Sequence, residues 1–520
     1  MSARAKLHVA AYPLILLFWG ISLWRLDRFP PIHEDEPWIL SPGYKLAMHG
    51  VYGSDLFAGF YGMEQHYFEF MPLMSALQGV SVRLIGLGVW QMRFAPAALG
   101  TLTLALTFAL ARQLASASDG LVAVLLLLFW QWTPGGVLRL GSGIPLVDLS
   151  RIARYDVLAA PLGLGALSCI VRAGDSGQVR YTFLGGALAG LAGLAHIYGL
   201  VWVVILLTLA ALDGQPGSVL RRAGLILSGA LVVWLPWLGF AATNWGDFLG
   251  QAGLNSNRFE VLKPSFYLDN VLNEWRRYWP DRGLTPRPFG FWLLVIGVPF
   301  ALVRLSLRAQ RVRRAAWLLA PCLLLPLLFA FVIKAKTYSY LLSVAPLFAV
   351  LLAWGLLELL RSQRLLGRGL GLLVLALLVG QGGLGMARLL RAANRAVPPG
   401  LMFAELRQTV PPSARVIGHP EYWLALPDRD YRSLILPFYL SNPDLNREPL
   451  AFDAALEQVA PQVVLLDPAF GQMLMDCSSP TSCARTEQFW SYMRRHRARL
   501  LRELQDGSGE RVKVYWLEVP

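Results

Sequence analysis

Apolar stretches long enough to cross a lipid bilayer recur through roughly the first 390 residues of this chain, a pattern that few folds outside a membrane can absorb. Composition agrees: 55% of the 520 residues are hydrophobic and 15% are charged, where a soluble domain carries about a quarter charged residues. The runs lie near 8–26, 93–113, 119–138, 155–172, 181–195, 197–213, 222–241, 289–306, 314–333, 337–360 and 365–388, and predict about eleven spans. Between Tyr181 and Leu212 only a Gly/Ala/His patch interrupts the run, which reads either as two short helices or as one long broken helix. The basic and then apolar N-terminus resembles a signal peptide but lacks a small-x-small cleavage site, and predicts a retained first span.

The net charge of +14 raises the question of nucleic acid. The arginines, however, sit in short links between apolar runs rather than along one soluble face, which excludes that partner. With the N-terminus inside, the inner links carry Arg4 and Lys6, Arg112, Arg172 and Arg180, and Arg221 and Arg222. Later inner links hold Arg304, Arg308, Arg311, Arg313 and Arg314, then Arg361, Arg364 and Arg368. Every one is basic, as the positive-inside rule demands. An odd number of spans then places loops 27–92 and 242–288 and residues 391–520 outside. The short loops and the arginine bias point to a bacterial inner membrane with a periplasmic C-terminal part.

The expected fold class is therefore an α-helical polytopic membrane protein with an extracytoplasmic C-terminal α/β domain. Residues 1–390 form the membrane part and 391–520 the soluble domain. Strand-like runs ARVIG, PQVVLLD and RVKVYWLEV alternate there with helix-like ones such as EQFWSYMRRHRARLLREL. Cys477 and Cys483 lie close together in this part and predict a small disulfide loop, while Cys169 and Cys322 sit inside apolar runs as packing residues.

Acidic residues are scarce within the spans and gather at their outer ends. A proton- or ion-coupled transporter usually needs ionisable groups near the midplane, so the distribution favours chemistry at the membrane–water boundary. The densest cluster is IHEDEPW, with His33, Glu34, Asp35 and Glu36 just after the first span. Three adjacent carboxylates repel one another and give a structural loop little. One of them is a candidate general base toward an acceptor hydroxyl; the plain alternative is a solvated acidic loop.

Several blocks in order resemble the membrane glycosyltransferases of the GT-C fold, especially protein O-mannosyltransferases and the lipid A aminoarabinose transferase. They are Asp35-Glu36, His66-Tyr67-Phe68-Glu69 followed by Pro72-Leu73, Arg93-Phe94, Arg154-Tyr155-Asp156, and Tyr340-Leu341-Leu342 with Pro346. The resemblance covers roughly residues 10–390. It implies a polyprenyl-phosphate-linked sugar donor, inversion at the anomeric carbon and a hydroxyl acceptor on a lipid, glycan or protein. Asp35 would be the base and Glu36 its support, with His66, Glu69, Arg154 and Asp156 in the substrate site. A divalent metal such as Mg or Mn at Asp35, Glu69 and Asp156 is a further expectation. Two departures stand out. Phe70-Met71 follow Glu69 where the family often has a lysine, and Tyr155 stands where the family has a proline.

A leaving phosphate needs positive charge beside it. Lys334 and Lys336, in KAKTYSY, lie at a predicted outer end, against the inside bias. One reading has them hold the lipid phosphate with Tyr338 or Tyr340, with Arg151 and Arg154 as rivals; the other has them snorkel to headgroups. His196, in GLAGLAHIYG, reads more readily as a packed residue than as a ligand. Trp275, Tyr278 and Trp279, with Arg276 and Arg277, suit an interfacial belt somewhat better than a sugar platform. No P-loop, H-E-x-x-H or dinucleotide fingerprint is present, which disfavours a nucleotide-sugar donor. The rival functions are a lipid-linked-saccharide flippase, which predicts midplane charges and two similar halves, and a non-catalytic scaffold, which predicts a silent acidic cluster.

Overall fold

A computed structural model describes residues 3–134, 141–212, 216–254, 260–279, 287–309, 313–475, 480–505 and 509–518. Among them, seven helices are long and apolar enough to cross a membrane, and four shorter apolar helices accompany them. The long ones include Val89–Leu114, Asp156–Ser176, Gly217–Thr243, Arg314–Val332 and Tyr338–Leu360; the short ones are Ala10–Leu23, Ala117–Phe129, Val179–Ala195 and Ile197–Leu212. The chain is a multi-pass integral membrane protein, and each apolar run of the sequence coincides with one of these helices. The expected span 119–138 is shorter than its hydropathy suggests, because the helix stops at Phe129 and irregular backbone follows.

The stretch from Tyr181 to Leu212 is two helices, and the break is at His196. This residue is extended (φ −154°, ψ 132°), and its Nδ1 accepts a hydrogen bond from the Tyr198 N–H at 3.1 Å, capping the 3-10 turn that starts the second helix.

The two ends of the bundle differ in chemistry. At one end Ser116, Asp119, Arg308, Arg314, Glu358 and Arg361 surround a cavity of about 250 Å³. Arg314 meets Asp175 there at 3.1 Å and Arg308 meets Glu358 at 3.4 Å. These are links that the charge pattern assigned to one side; Arg311 lies outside the described residues. The other end carries the first loop, the loop that follows Thr243, and the C-terminal domain.

The first loop is itself folded. Helix Asp35–His49 crosses helix Pro72–Ile85, which Pro72 opens at a position where no N–H is needed. The crossing demands glycine, since a Cβ at Gly43 would strike the Ser75 carbonyl and one at Gly79 would strike that of Gly43.

The C-terminal domain holds a five-stranded sheet: β1 Arg415–Gly418, β2 Asp430–Ser433, β3 Val463–Leu466, β4 Arg499–Gln505 and β5 Arg511–Trp516, in the order β2-β1-β3-β5-β4. Strands β2, β1 and β3 are parallel, while β5 runs antiparallel to both β3 and β4. The expected helix over EQFWSYMRRHRARLLREL ends at Arg495. Arg497 turns into the left-handed region (φ 46°), and RLLREL becomes β4 against β5. Cys483 is disulfide-bonded, Cys169 and Cys322 are free, and Cys477 lies outside the described residues.

The domain and the first loop share one hydrophobic core. Tyr439 of the domain packs on Trp38, Phe57 and Phe60 of the loop at ring distances of 6.2, 5.8 and 5.5 Å.

Candidate active site

The acidic triplet stands at the N-terminal end of helix Asp35–His49, where the helix dipole favours negative charge. Mutual repulsion is relieved by sending each carboxylate to a different basic side chain. Glu34 turns to the C-terminal domain, where its Oε2 lies 3.5 Å from His419 Nε2. Asp35 receives Arg154, and Glu36 receives Arg93.

The Glu36–Arg93 pair is completely buried. Arg93 donates to both carboxylate oxygens at 2.8 and 2.7 Å, and the N–H groups of Ala153 and His33 add bonds of 2.7 and 2.9 Å. The rest of the Arg93 guanidinium is spent on the carbonyls of Leu26, Pro30 and Pro31. Burial pushes the Glu36 carboxyl up, yet Arg93 and the two N–H groups outweigh it and hold the group below its usual value. Arg151 is likewise buried, on the carbonyls of Ile21, Ser22, Trp24 and Phe29. Together the two arginines set the path of the chain from the first helix to Asp35.

Asp35 has a different environment. Its side chain is 20% exposed, and its own N–H is fixed to His33 Nδ1 at 3.1 Å. Arg154 bonds Asp35 with one terminal nitrogen and Asp156 with Nε, the latter at 3.0 Å, and its guanidinium lies over the Tyr155 ring at 5.3 Å. A single arginine thus joins Asp35 to the start of helix Asp156–Ser176.

Next to this junction lies a cavity of about 230 Å³, lined among others by Glu69, Phe70, Tyr155, His196, Tyr198 and Phe248. Glu69 accepts from Tyr67 at 3.3 Å and from Tyr439 at 3.1 Å, so the C-terminal domain reaches the cavity wall. A smaller space beyond it is bounded by Asp156, His196 and Tyr340. His196 packs against Tyr155, Tyr198 and Tyr340 at ring distances of 4.6, 4.5 and 5.2 Å. His66 stands apart, its Nδ1 2.7 Å from Asp247 Oδ2, where it pins the first loop to the helix Trp245–Ala252.

The two lysines part company. Lys334 is 49% exposed and pairs with Glu260 at 3.3 Å. Lys336 is partly buried, with its side chain 6% exposed, paired with Glu274 at 2.8 Å and bonded to the carbonyls of Phe329 and Ala330. Burial pushes the Lys336 ammonium down, and Glu274 restores only part of the loss. Arg277 grips the same Glu274 at 2.7 Å and lies over the Tyr340 ring at 5.4 Å. Positive charge therefore continues from Arg154 past Tyr340 to Arg277 and Lys336.

Over nearly its whole length the chain superposes on ArnT from Cupriavidus metallidurans bound to undecaprenyl phosphate. The TM-score is 0.64 at 17% identity, covering 99% of this chain and 98% of that one. The chain has the GT-C fold. Archaeal AglB from Archaeoglobus fulgidus, in complex with an inhibitory peptide and a dolichol-phosphate, shares this fold at a TM-score of 0.55. Identity is 12%, over 97% of this chain and 74% of that one. The oligosaccharyltransferase of Archaeoglobus fulgidus in complex with Zn and sulfate gives 0.54 at 14% identity, over 89% and 68%. No family model and no curated protein matches the sequence.

Within the GT-C frame, the residues expected to hold Mg or Mn do not form a ligand set. Arg154 bonds both Asp35 and Asp156, and Glu69 is engaged by two tyrosines. Among the described residues one group brings three ligand atoms within 4.8 Å of one another, namely His419, Glu421 and Asp467. The fold also brings in partners that hydropathy and motif spacing did not reveal: Glu274, Tyr439 and His419. All three sit in loops or in the C-terminal domain, where no periodic signal marks them.

Proposed function

We propose that this protein is an inverting glycosyltransferase that moves a sugar from a polyprenyl-phosphate donor to a hydroxyl acceptor at the extracytoplasmic face of the membrane. The observation that carries the reading is the placement of Asp35. It is a partly exposed carboxylate fixed at a helix N-terminus, and Arg154 joins it to the wall residues Tyr155 and Asp156. A GT-C fold that in ArnT holds undecaprenyl phosphate supports the donor class.

In the proposed reaction the acceptor oxygen attacks the anomeric carbon from the face opposite the phosphate. Asp35 takes the hydroxyl proton as the new bond forms, and the bond between the anomeric carbon and the phosphate oxygen breaks, leaving polyprenyl phosphate. Arg154 has two claims on it: in the resting protein it is bonded to Asp35, and a departing phosphate competes for the same guanidinium. Transfer of that arginine toward the phosphate frees Asp35 at the moment its proton affinity is needed. Arg277 and Lys336 extend the positive charge behind Tyr340, with Lys334 at the rim. Glu36 is the brace that holds Asp35 in place, Glu69 and Asp156 shape the acceptor side, and His66 fixes the first loop to the helix Trp245–Ala252 that lends Phe248 to the cavity.

Native mass spectrometry of detergent-purified Asp35→Asn protein tests this. An intact polyprenyl-phosphate sugar retained by the variant, together with lost turnover, supports the transferase. If folded wild type and variant both carry phospholipid alone after incubation with such donors, the reading fails and a transporter or scaffold takes its place.

A further inference from the structure

The C-terminal domain contains a second polar cavity that the proposed transfer reaction does not use. It measures about 280 Å³ and lies between the domain, the segment that follows the first helix and the segment after Arg395. Its lining includes Asp27, Arg28, His419, Glu421, Asp467 and Glu510. Acidic groups outnumber basic ones in that set, so the cavity suits a cation.

Sheet topology places the polar groups. His419 directly follows β1 and Asp467 directly follows β3, so both stand at the carboxyl ends of neighbouring parallel strands. The order β2-β1-β3 means that the chain moves from β1 to one side and returns on the other, which makes the gap between β1 and β3 a topological switch point. In open α/β sheets ligands bind in the crevice outside such a point. Glu421, two residues after His419, completes the group from the turn Pro420–Ala425.

The individual atoms also suit a metal. The ligand atoms of the three residues lie within 4.8 Å of one another. His419 turns Nε2 toward Glu34, while its Nδ1 is buried with no hydrogen-bond partner among the described residues. A buried ring nitrogen in that condition costs free energy unless something occupies it. Asp467 is held in position by the Tyr422 hydroxyl at 2.9 Å and the Phe470 N–H at 2.7 Å, the outer support that metal-binding carboxylates normally have.

We propose that His419, through Nδ1, together with Glu421 and Asp467 forms a binding site for a divalent transition metal of the zinc class. One imidazole with two carboxylates is a ligand set that zinc accepts with a fourth position left to water. The opposite ring nitrogen, held by Glu34, then orients the imidazole as carboxylate–histidine–metal groupings do. Since Glu34 precedes Asp35, an occupied site clamps the C-terminal domain onto the loop that carries the candidate base.

The test uses the full-length protein in detergent, stripped with a chelator and titrated with Zn²⁺ by calorimetry, with elemental analysis after dialysis. One zinc ion per chain at micromolar affinity is expected in wild type. Affinity should fall by about tenfold or more in Glu421→Gln and in His419→Gln, with thermal unfolding of the metal-free proteins as the control for folding. Glu421→Gln is the decisive variant if His419→Gln does not fold. A wild type that binds no zinc overturns the site. So does zinc binding that Glu421→Gln leaves unchanged, because the metal then lies elsewhere. Transferase activity is not needed for this readout, so the site and the proposed reaction can fail independently.

Discussion

Two arginines meet adjacent carboxylates in the first turn of one helix, and they do opposite things. Arg93 closes on Glu36 where both side chains are fully buried, and its other N–H groups go to carbonyls. Arg154 meets Asp35 where the side chain is still 20% exposed and divides itself between two carboxylates. The first arrangement has no spare bond to give and therefore acts as a fixed support. The second can exchange a partner, which is what a site needs when a charged group arrives and leaves. Neighbouring acids in the sequence thus acquire separate tasks from their surroundings alone.

The largest effect comes from breaking the closed pair. Glu36→Gln or Arg93→Ala should cost roughly 3–5 kcal/mol, because each leaves an uncompensated charge or its hydrogen-bond partners buried. Thermal unfolding in detergent and the yield of folded protein measure it. Replacing both partners with apolar residues should not restore stability, since the carbonyls of Leu26, Pro30 and Pro31 would lose their donors. The same pair gives a pH signature. Glu36 is held below its usual 4.5, so its stabilisation is complete above about pH 4.5 and is lost as the pH falls through the lower folded value. The unfolding midpoint should drop on acidification in wild type, with a shallower slope in Glu36→Gln.

Asp35→Asn probes the open member. Turnover should fall by roughly 10²- to 10⁴-fold while the unfolding midpoint barely moves. A variant that unfolds instead would make Asp35 a second brace and erase the contrast with Glu36. Arg154→Lys keeps the charge but cannot reach two carboxylates in fork geometry, so a loss of roughly a hundredfold in kcat is expected with folding preserved. The smallest effects separate the lysines. Lys336→Ala should weaken donor binding by about tenfold, and exposed Lys334→Ala by less than about twofold, read as apparent KM for the donor. Equal effects would remove the distinction between a partly buried phosphate partner and a rim charge.

Hydropathy was sufficient for the apolar helices because a span must be apolar along its length, a property written locally. The charge pattern placed the acidic triplet just after the first span, though not at the start of a helix within the first loop. Hydropathy erred where local signals compete. The run at 119–138 is apolar beyond its helix, and RLLREL looks helical but pairs as β4 once Arg497 turns the chain. The lysines in KAKTYSY were visible as an anomaly of charge, whereas the acids that hold them, Glu260 and Glu274, lie 74 and 62 residues away. Arg93 and Arg154 stood out as members of resembling blocks, but nothing in their spacing assigned Arg93 to Glu36 and Arg154 to Asp35.

By itself, then, the sequence determined the class of the molecule, its apolar helices and the presence of an acidic cluster just after the first of them. Periodicity, length and net charge are sums over neighbouring residues and survive without knowledge of the fold. Tertiary structure alone decided which carboxylate is buried, which one shares its arginine, and which is turned toward His419. Those outcomes depend on burial and on partners 57 and 119 residues distant, and solvation and charge pairing are set by distance in space, which the order of residues along the chain does not record.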